Sequence, residues 1–184
     1  MSMAYGLEGE LVRLVAMDLD RHLETYLAWL NDTEITDGLL MGCYPQSRQA
    51  QRDFMTNHRD GPKGIIFAIE TLDGQHIGGS GIHDIDHLNQ TCTTGSFIGN
   101  TEFQGKGYGT DAARVRSKYC FETLNMRYVY SAYLEGNIRS AKMQTKIGAK
   151  ESGRYPKRYL KHGEFKDEII MSLSREDWEL NRPQ

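Results

Sequence analysis

Apolar residues recur along the chain at two different spacings, which distinguish amphipathic helices from strands. Between residues 19 and 31 they recur every three or four positions, and Asp18 stands just before them. This spacing puts the apolar side chains on one face of a helix, and an aspartate at its start is a favourable N-cap. Further helices are predicted over 33–40, 48–58, 107–124 and 138–147, with a short one around Asp177 and Trp178.

Alternating or β-branched runs between these helices predict strands. Asp73-Gly74 favours a tight turn that joins two strands as a hairpin, and the strand over 128–134 follows a helix, which favours a parallel crossover. The order of elements therefore predicts an α+β fold with a central mixed, mostly antiparallel sheet flanked by helices. The predicted strands cover 10–15, 65–70, 76–85, 91–98, 128–134, 149–159 and 164–173.

Composition and charge restrict the function classes. The chain has 184 residues, 39% hydrophobic and 26% charged, which is typical of a globular protein, so we expect one domain over 1–184. A net charge of −3 argues against a general nucleic-acid-binding protein. No stretch is apolar enough to span a membrane, and the first ten residues lack a signal-peptide pattern. The chain has three cysteines, Cys43, Cys92 and Cys120, and their spacing is not that of metal ligands. We therefore expect free thiols and no metal ion, and we expect a cytoplasmic location because thiols stay reduced there.

A glycine-rich stretch between a predicted strand and a predicted helix carries the clearest chemistry. Residues 104–110 are Gln-Gly-Lys-Gly-Tyr-Gly-Thr. Glycines leave no side chain between the backbone N–H groups and a ligand, and the first N–H groups of a helix lack an internal partner. Such a turn is suited to phosphate, and Lys106 adds a positive charge.

Two common phosphate loops do not fit this stretch. A Walker A loop needs glycine five positions before Gly105, where Asn100 stands, and it needs Ser or Thr after Lys106, where Gly107 stands. A dinucleotide-binding loop places its third glycine one residue later than Gly109 and follows an early strand. A plain tight turn before a helix remains the alternative.

A third phosphate loop does fit. Gln104, Gly107 and Gly109 resemble the Q/R-x-x-G-x-G/A pyrophosphate loop of the GCN5-related N-acetyltransferases. A second stretch resembles that family's N-x-x-S/A…K-x-G-F motif, with alanine in place of the usual phenylalanine, and the order of elements is similar too. Two motifs in the right order and at the right distance are more specific than either one alone. The residues of the second motif are Asn137, Ser140, Lys146, Gly148 and Ala149.

The two ends of the chain resemble the RimJ/RimL-type branch of this family. The opening carries Leu-Val-Arg-Leu at 11–14 and Trp-Leu-Asn-Asp at 29–32, and the tail carries Gly153-Arg154 and Asp167. The resemblance covers nearly the whole chain. It implies the GNAT fold, in which two parallel strands, here 93–98 and 127–134, splay apart as a V.

The resemblance also implies that acetyl-CoA is the co-substrate and lies in the V. Its pantetheine would bond to backbone near Phe97 and Ile98, its pyrophosphate would rest on amides of 105–110, and a backbone N–H would polarise the acetyl carbonyl. An acceptor amine would attack that carbonyl directly. The implied cofactor-binding residues are Phe97, Ile98, Gln104, Gly105, Lys106, Gly107, Tyr108, Gly109, Thr110, Asn137, Ser140 and Lys146.

Neither of the family's usual acid–base residues is present. The position that often holds a glutamate base is Thr93, and the position that often holds a tyrosine acid is Gln144. By resemblance to the RimL-type branch, Ser140 is the candidate acid, while a hydrogen bond to CoA or a helix cap explains it equally well. His83, with an ordinary pKa of about 6.5, is the candidate base, and a solvated strand end is the alternative interpretation.

Several other polar residues have two interpretations each. Asp84 and Asp86 are either further base candidates or parts of a solvated loop. Tyr133 either faces the V or belongs to the core and sheet edge. Asp167 either binds the acceptor amine or pairs with Arg154.

Two functions of different classes remain. The first is an acetyl-CoA-dependent N-acetyltransferase that acts on a primary amine of a protein N-terminus, an amino sugar or a small amine. The second is a non-catalytic acyl-CoA-binding module of the same fold, which the missing acid–base pair favours. No nucleic acid or membrane partner is expected, and a homodimer is left open.

Overall fold

The computed structural model describes residues 7–41, 44–58 and 64–182. Strands within these ranges form a seven-stranded sheet in the order β1-β2-β3-β4-β5-β7-β6. The strands are β1 (Val12–Ala16), β2 (Gly64–Thr71), β3 (His76–Asp86), β4 (Thr91–Ile98), β5 (Tyr128–Leu134), β6 (Lys150–Lys161) and β7 (Glu164–Ser174). The helices are α1 (Leu19–Leu30), α2 (Thr33–Thr36), α3 (Arg48–His58), α4 (Tyr108–Lys118), α5 (Ile138–Lys146) and α6 (Arg175–Asn181). No helix in the described ranges is long and apolar enough to cross a membrane.

Paired strands in the sheet are antiparallel, apart from β4 and β5, which are parallel. The predicted mixed, mostly antiparallel α+β sheet is therefore confirmed. The parallel pairing covers only Thr91–Thr94 of β4 and Tyr128–Ser131 of β5, whereas β4 stays paired with β3 as far as Ile98. Beyond the four paired residues the two strands separate, which is the predicted V.

The alternation of side chains along the strands supplies a hydrophobic cluster to each face of the sheet. Phe67 and Ile69 of β2 belong to a cluster with residues of α4, whereas Ile66 and Ala68 belong to a second cluster with residues of α1 and α3. Successive side chains of a strand point to opposite faces of its sheet. Helices therefore cover both faces, and β2 is buried between them.

Helix α1 begins where its capping residue predicts. The Asp18 carboxylate accepts hydrogen bonds from the backbone N–H groups of Asp20 and Arg21, both at 2.9 Å. These bonds satisfy two N–H groups that a helix start leaves without an internal partner. The fixed start sets the phase of the helix, so that Leu23 and Tyr26 face the sheet and are buried.

One helix ends earlier than the sequence predicts, and another changes type within its predicted range. The helix expected over 33–40 ends at Thr36, and a long-range contact holds the turn that follows: Asn137 Nδ2 donates to the carbonyl of Gly38 at 2.7 Å. The helix expected over 107–124 is α-helical only to Lys118 and continues as a π-helical turn over Tyr119–Thr123. The other helices and strands whose bounds were predicted agree with the prediction to within two residues, and the short helix expected around Asp177 and Trp178 is α6.

Two of the three cysteines lie in the described part of the chain. Cys92 and Cys120 are buried free thiols, with their Sγ atoms 3.9 Å apart. The expectation of free thiols is confirmed for this pair. Cys43 lies outside the described residues.

Candidate active site

A cavity of about 810 Å³ opens where β4 and β5 separate. Its floor is built from Gly79–Gly81 and His83 of β3, Gly95–Ile98 of β4, and Ala132 and Tyr133 of β5. Because β4 and β5 are not paired with each other beyond the start of the V, an elongated ligand can lie between them. The gap between β4 and β5 is therefore the place in the sheet where the predicted V would hold an elongated cofactor.

The glycine-rich stretch forms one wall of this cavity. Gly105 and Gly107 have φ values of +73° and +97°, a left-handed conformation that glycine adopts without strain. Gly107 is the N-cap of α4 and supplies no side-chain cap, so the N–H groups of the first turn are suited to bind an anion. Gly105, Gly107, Gly109 and Thr110 all line the cavity.

Two members of the predicted loop set are not among the described residues that line the cavity. The Lys106 side chain is exposed, and the Tyr108 ring packs edge-on against Phe103, with ring centroids 5.0 Å apart. The charge expected from Lys106 is therefore not placed at the cavity wall. Their backbone amides remain within the loop, and a cofactor contact through them stays a prediction.

Gln104 links the two sides of the V. Its Nε2 donates to the carbonyl of Ile98 at 2.8 Å, and its Oε1 accepts from Arg139 Nη1 at 2.6 Å. The first bond fastens the end of β4, and the second reaches α5, the helix that follows β5. Gln104 thus positions the cavity walls as well as lining them.

Helix α5 begins at the second motif. The Asn137 Oδ1 accepts from the backbone N–H of Ser140 at 3.0 Å, which caps the helix, while Asn137 Nδ2 holds the carbonyl of Gly38. Both residues line the cavity. Asn137 therefore caps the helix, a role that was also considered for Ser140. The Ser140 hydroxyl forms no hydrogen bond with another described residue.

Two cations of the cavity wall were not among the residues predicted from the sequence. Arg139 and Lys142 line the cavity together with the predicted Lys146, and all three are on α5. Their spacing, i, i+3 and i+7, is the signal that could have found them, because it places side chains on one helix face. We call residues 104–110 and this basic face of α5 the loop side of the cavity.

His83 and Ser140, the two candidate catalytic residues, line the same cavity. The His83 imidazole lies over Gly81, where an added Cβ would stand only 2.4 Å from His83 Nε2. Glycine at this position therefore leaves room for the ring against the sheet. The structure places both candidates at one cavity, and their chemical roles stay predictions.

The neighbouring aspartates fit the loop interpretation better. The Asp86 carboxylate accepts from the backbone N–H of Asn89 at 2.8 Å and from Asn89 Nδ2 at 2.7 Å. These bonds, the backbone one most, lower the pKa of Asp86, which makes it a poorer base at neutral pH. Asp84 is exposed with φ +50°, and neither aspartate is among the described lining residues.

Thr93 and Gln144, which stand at the family's usual base and acid positions, are likewise absent from the described lining. Thr93 is exposed on β4, and Gln144 is buried in α5. Neither side chain titrates near neutral pH, so any proton transfer must use other groups or water.

For Tyr133 and for Asp167 the structure favours one of the two interpretations. Tyr133 lines the cavity, and burial together with the charge of Glu151 raises its pKa, so its phenol stays protonated at neutral pH. Asp167 accepts from Arg154 Nη1 at 3.2 Å and from the backbone N–H of Lys157 at 2.8 Å. Its carboxylate is therefore engaged in pairing, which favours that interpretation over amine binding.

The wall opposite the loop side comes from α1, α2, α3 and the turns between them, and we call it the helix side. Its described lining is mostly apolar, and Glu34 is the one charged residue that it contributes to the cavity. Glu34 also lines a second pocket, together with Arg139 and Lys161. The two walls of the cavity therefore differ in the charged side chains that they contribute. The helix side includes Tyr26, Leu30, Glu34, Leu39, Gln51 and Phe54.

Sequence comparison identifies one domain family. A family model described as "Acetyltransferase (GNAT) domain" matches residues 12–150. The relative named "Putative ribosomal N-acetyltransferase YdaF" of Bacillus subtilis is 32% identical over 107 residues, which cover 58% of this chain and 58% of the relative. The chain thus spans little more than half the length of that relative.

The names of one further relative and of one solved structure refer to different amines. The ribosomal protein uS5-alanine N-acetyltransferase of Escherichia coli (strain K12) is 25% identical over 141 residues, covering 74% of this chain and 71% of the relative. The crystal structure of spermidine N-acetyltransferase from Vibrio cholerae in complex with CoA and spermine superposes with a TM-score of 0.83 at 18% identity, covering 91% of this chain and 97% of that chain. At such low identity this likeness establishes a shared fold.

Proposed function

Because this chain belongs to the GNAT acetyltransferase family, we propose that it transfers the acetyl group of acetyl-CoA directly to a primary amine. The family and its fold are those that the two sequence motifs indicated. One observation carries the proposal: a continuous cavity joins a wall suited to phosphate with an apolar wall that holds a carboxylate. Donor and acceptor can therefore occupy one space and use different walls of it.

The loop side is the proposed seat of the CoA phosphates. Amides at the start of α4 can bind the pyrophosphate, and Arg139, Lys142 and Lys146 add positive charge at the same wall. The pantetheine would then run along residues 95–98 of β4, where the strand has separated from β5. This assignment uses the predicted cofactor residues and adds Arg139 and Lys142 to them.

The helix side is the proposed seat of the amine. Glu34 attracts a cationic acceptor, and the apolar residues around it exclude water. Transfer requires a neutral amine, whose nitrogen attacks the thioester carbonyl carbon; the C–S bond then breaks, and the amine loses the proton that the thiolate gains. We assign the hydrogen bond or proton toward the sulfur to Ser140, and acceptance of the amine proton to His83 or to water.

The alternative is a module that binds acyl-CoA without turning it over. Its support is that Thr93 and Gln144 replace the usual acid–base pair. Positioning and backbone polarisation can still accelerate the reaction, because acid–base help contributes only about 10²–10⁴-fold.

Release of free thiol from acetyl-CoA distinguishes the two functions. The purified protein is incubated with acetyl-CoA and a panel of peptides, amino sugars and polyamines, and the acetylated products are identified by mass spectrometry. We expect thiol release that depends on an amine and matches the product formed. Tight acetyl-CoA binding without product from any amine would favour the binding module.

A further inference from the structure

Arg116 is a buried cation beside the cavity floor that neither sequence motif accounts for. Its side chain is 1% exposed, and its buried Nε has no hydrogen-bond partner among the described residues. Within the same part of the chain, the titratable groups that act on it are the thiols of Cys92 and Cys120 rather than a carboxylate. Burial lowers the pKa of Arg116, but a guanidinium keeps its proton at neutral pH. A buried charge without a counter-charge reduces stability, so its presence indicates a role beyond packing.

The Arg116 guanidinium is hydrogen-bonded to one particular peptide group of the floor. Its Nη1 donates to the carbonyl of Gly95 at 3.1 Å and to Ser80 Oγ at 2.9 Å. That carbonyl belongs to the peptide group that joins Gly95 to Ser96, and the other polar end of this group is the Ser96 N–H. In a planar trans peptide group the C=O and the N–H point in opposite directions.

The pairing of β4 shows where the Ser96 N–H points. Gly99, directly after β4, donates its N–H to the carbonyl of Ile77 in β3 at 2.9 Å. Backbone polar groups of successive strand residues alternate between the two neighbouring strands, so Gly95 also faces β3 and Ser96 faces β5. Ser96 lies two residues beyond Thr94, the last residue of β4 that pairs with β5. Its N–H is therefore directed into the gap between the two strands, where Ser96 lines the cavity.

We propose that Arg116 is a positioning residue for acetyl transfer: through the Gly95 carbonyl it orients and polarises the peptide group whose Ser96 N–H binds the thioester oxygen. This inference rests on the proposed acetyl transfer. As the amine attacks, an electron pair moves onto that oxygen, and it returns when the C–S bond breaks. A preorganised N–H donor stabilises the charge that develops there. The cation at the other end of the peptide group draws electron density from its nitrogen and strengthens the N–H as a donor.

Infrared spectra of bound acetyl-CoA test the polarisation with no amine present. Difference spectra between unlabelled and isotope-labelled acetyl groups isolate the thioester carbonyl stretch from the protein bands. We expect binding to the wild type to shift this stretch to lower wavenumber. Arg116→Met keeps the approximate size of the side chain and removes the charge, so it should lose most of the shift. Equal shifts in the two proteins, or none in the wild type, would overturn the inference.

Two further variants keep the spectroscopic test independent of whether Arg116→Met folds, which the melting temperature of the ligand-free protein reports. Arg116→Gln is a milder change that also removes the charge, and it should lose most of the shift as well. Arg116→Lys keeps a cation at the same position and should retain more of the shift than either neutral variant. A loss in Arg116→Lys as large as that in Arg116→Gln would contradict polarisation by the charge.

Steady-state kinetics, with the acceptor that the amine panel identifies, measure the effect on catalysis. Arg116→Met should lower kcat roughly 10- to 100-fold. KM and Kd for acetyl-CoA should change by less than about 3-fold, because the polarised hydrogen bond strengthens mainly in the transition state. Arg114→Met is the matched control, since Arg114 is on the same helix, is half-buried and is not in the described cavity lining; it should leave kcat unchanged. A raised Kd with kcat retained in Arg116→Met would mean that Arg116 only shapes the floor, and would overturn the inference.

The spectra and the kinetics together separate this inference from the proposed activity. If the carbonyl shift depends on Arg116 but no amine is acetylated, the acetyl-transfer proposal fails and the polarisation by Arg116 stands. If amines are acetylated while the shift and kcat do not depend on Arg116, the inference fails and the acetyl-transfer proposal stands.

Discussion

At the scale of single residues, glycines on β3 allow two side chains of the site to lie against the sheet. Tyr26 lies over Gly79 and His83 over Gly81, and in each case an added Cβ would stand 2.4 Å from the nearest ring atom. Such a distance is far below van der Waals contact. The glycine content of β3 therefore shapes the cavity floor, at the cost of weaker strand propensity.

Ser140→Ala tests the proposed role of the hydroxyl at the thiolate. We expect kcat to fall by about 10- to 100-fold with a smaller rise in KM for acetyl-CoA, because the interaction is made mainly in the transition state. Thr145→Val is the control: its hydroxyl is on the same helix but donates to the carbonyl of Ala141 and does not line the cavity. A raised KM with unchanged kcat would make Ser140 a CoA contact only.

His76 predicts a pH-dependent contribution to stability. Its ring packs between His22 and Trp29, with centroids 4.7 Å from each, and its Nε2 bonds the carbonyl of Gly78 at 3.0 Å. Burial, with repulsion from His22 second, lowers its pKa from 6.5 to about 4. At a pH between these two values the His76 imidazole is protonated in the unfolded chain and neutral in the folded chain. The unfolding free energy therefore falls as pH drops from 6.5 toward about 4.

Denaturant titrations at several pH values measure this effect. His76→Phe should reduce the loss of unfolding free energy between pH 6.5 and 4 by roughly 2 kcal/mol, after allowance for the partial exposure of the ring. Substitution of the exposed His87 serves as the control. Equal losses in the wild type and His76→Phe would contradict the assignment.

At the scale of elements, β4 and α4 together create the site. β4 remains paired with β3 over 93–98 while it leaves β5 after Thr94. Near that point the buried Arg116 of α4 donates from Nη1 to the carbonyl of Gly95 at 3.1 Å and to Ser80 Oγ at 2.9 Å. The helix thus holds β3 and β4, two of the three strands that form the cavity floor, and its N-terminal residues line the same cavity.

Gly109→Val tests whether the start of α4 holds the pyrophosphate. Gly107 has φ +97°, so a side chain there would strain the backbone, whereas Gly109 has no such restriction and its added Cβ would lie 3.6 Å from Ile98 Cγ1. We expect CoA affinity to fall at least ~10-fold, or ~1.4 kcal/mol, with the fold retained. Calorimetry measures it, with Gly153→Val on β6 as a control remote from the described cavity lining. Unchanged affinity would move the pyrophosphate elsewhere.

At the scale of the whole molecule, the last hairpin braces the helix side of the cavity. Lys161 Nζ donates to the carbonyls of Thr36 and Met41 at 3.1 and 2.9 Å, and His162 pairs with Asp37. These contacts join the β6–β7 turn to the segment after α2, more than 100 residues away in sequence. The apolar wall of the cavity therefore depends on both halves of the chain.

A ligand that spans the cavity should stabilise the whole protein. At about 100 times its Kd, acetyl-CoA should add roughly 2.7 kcal/mol to the unfolding free energy and raise Tm by roughly 5–10 °C. ATP and NAD are the comparison ligands, since their phosphate loops do not match residues 104–110. Differential scanning fluorimetry suffices, and stabilisation by ATP or NAD without stabilisation by acetyl-CoA would contradict the proposed cofactor.

The sequence by itself determined the elements, their order and the family. The strands over 91–98 and 128–134 have the bounds that their patterns predicted, because alternation and flanking turns are local signals. The two motifs identified the family, and Ser140, His83 and most of the predicted loop residues line one cavity in the structure. The end of α2 was predicted wrongly, because a contact between Asn137 and Gly38 decides it.

Only the tertiary structure decided which side chains face the cavity. Within the predicted loop it turned Tyr108 toward Phe103 and left Lys106 exposed, and it brought Arg139 and Lys142 to the wall instead. Gln51 has no motif and no distinctive spacing, and only the packing of α3 shows that it is buried in the wall of the cavity. The direction, burial and hydrogen bonding of a side chain depend on contacts between segments that are remote in sequence. Local periodicity does not encode such contacts.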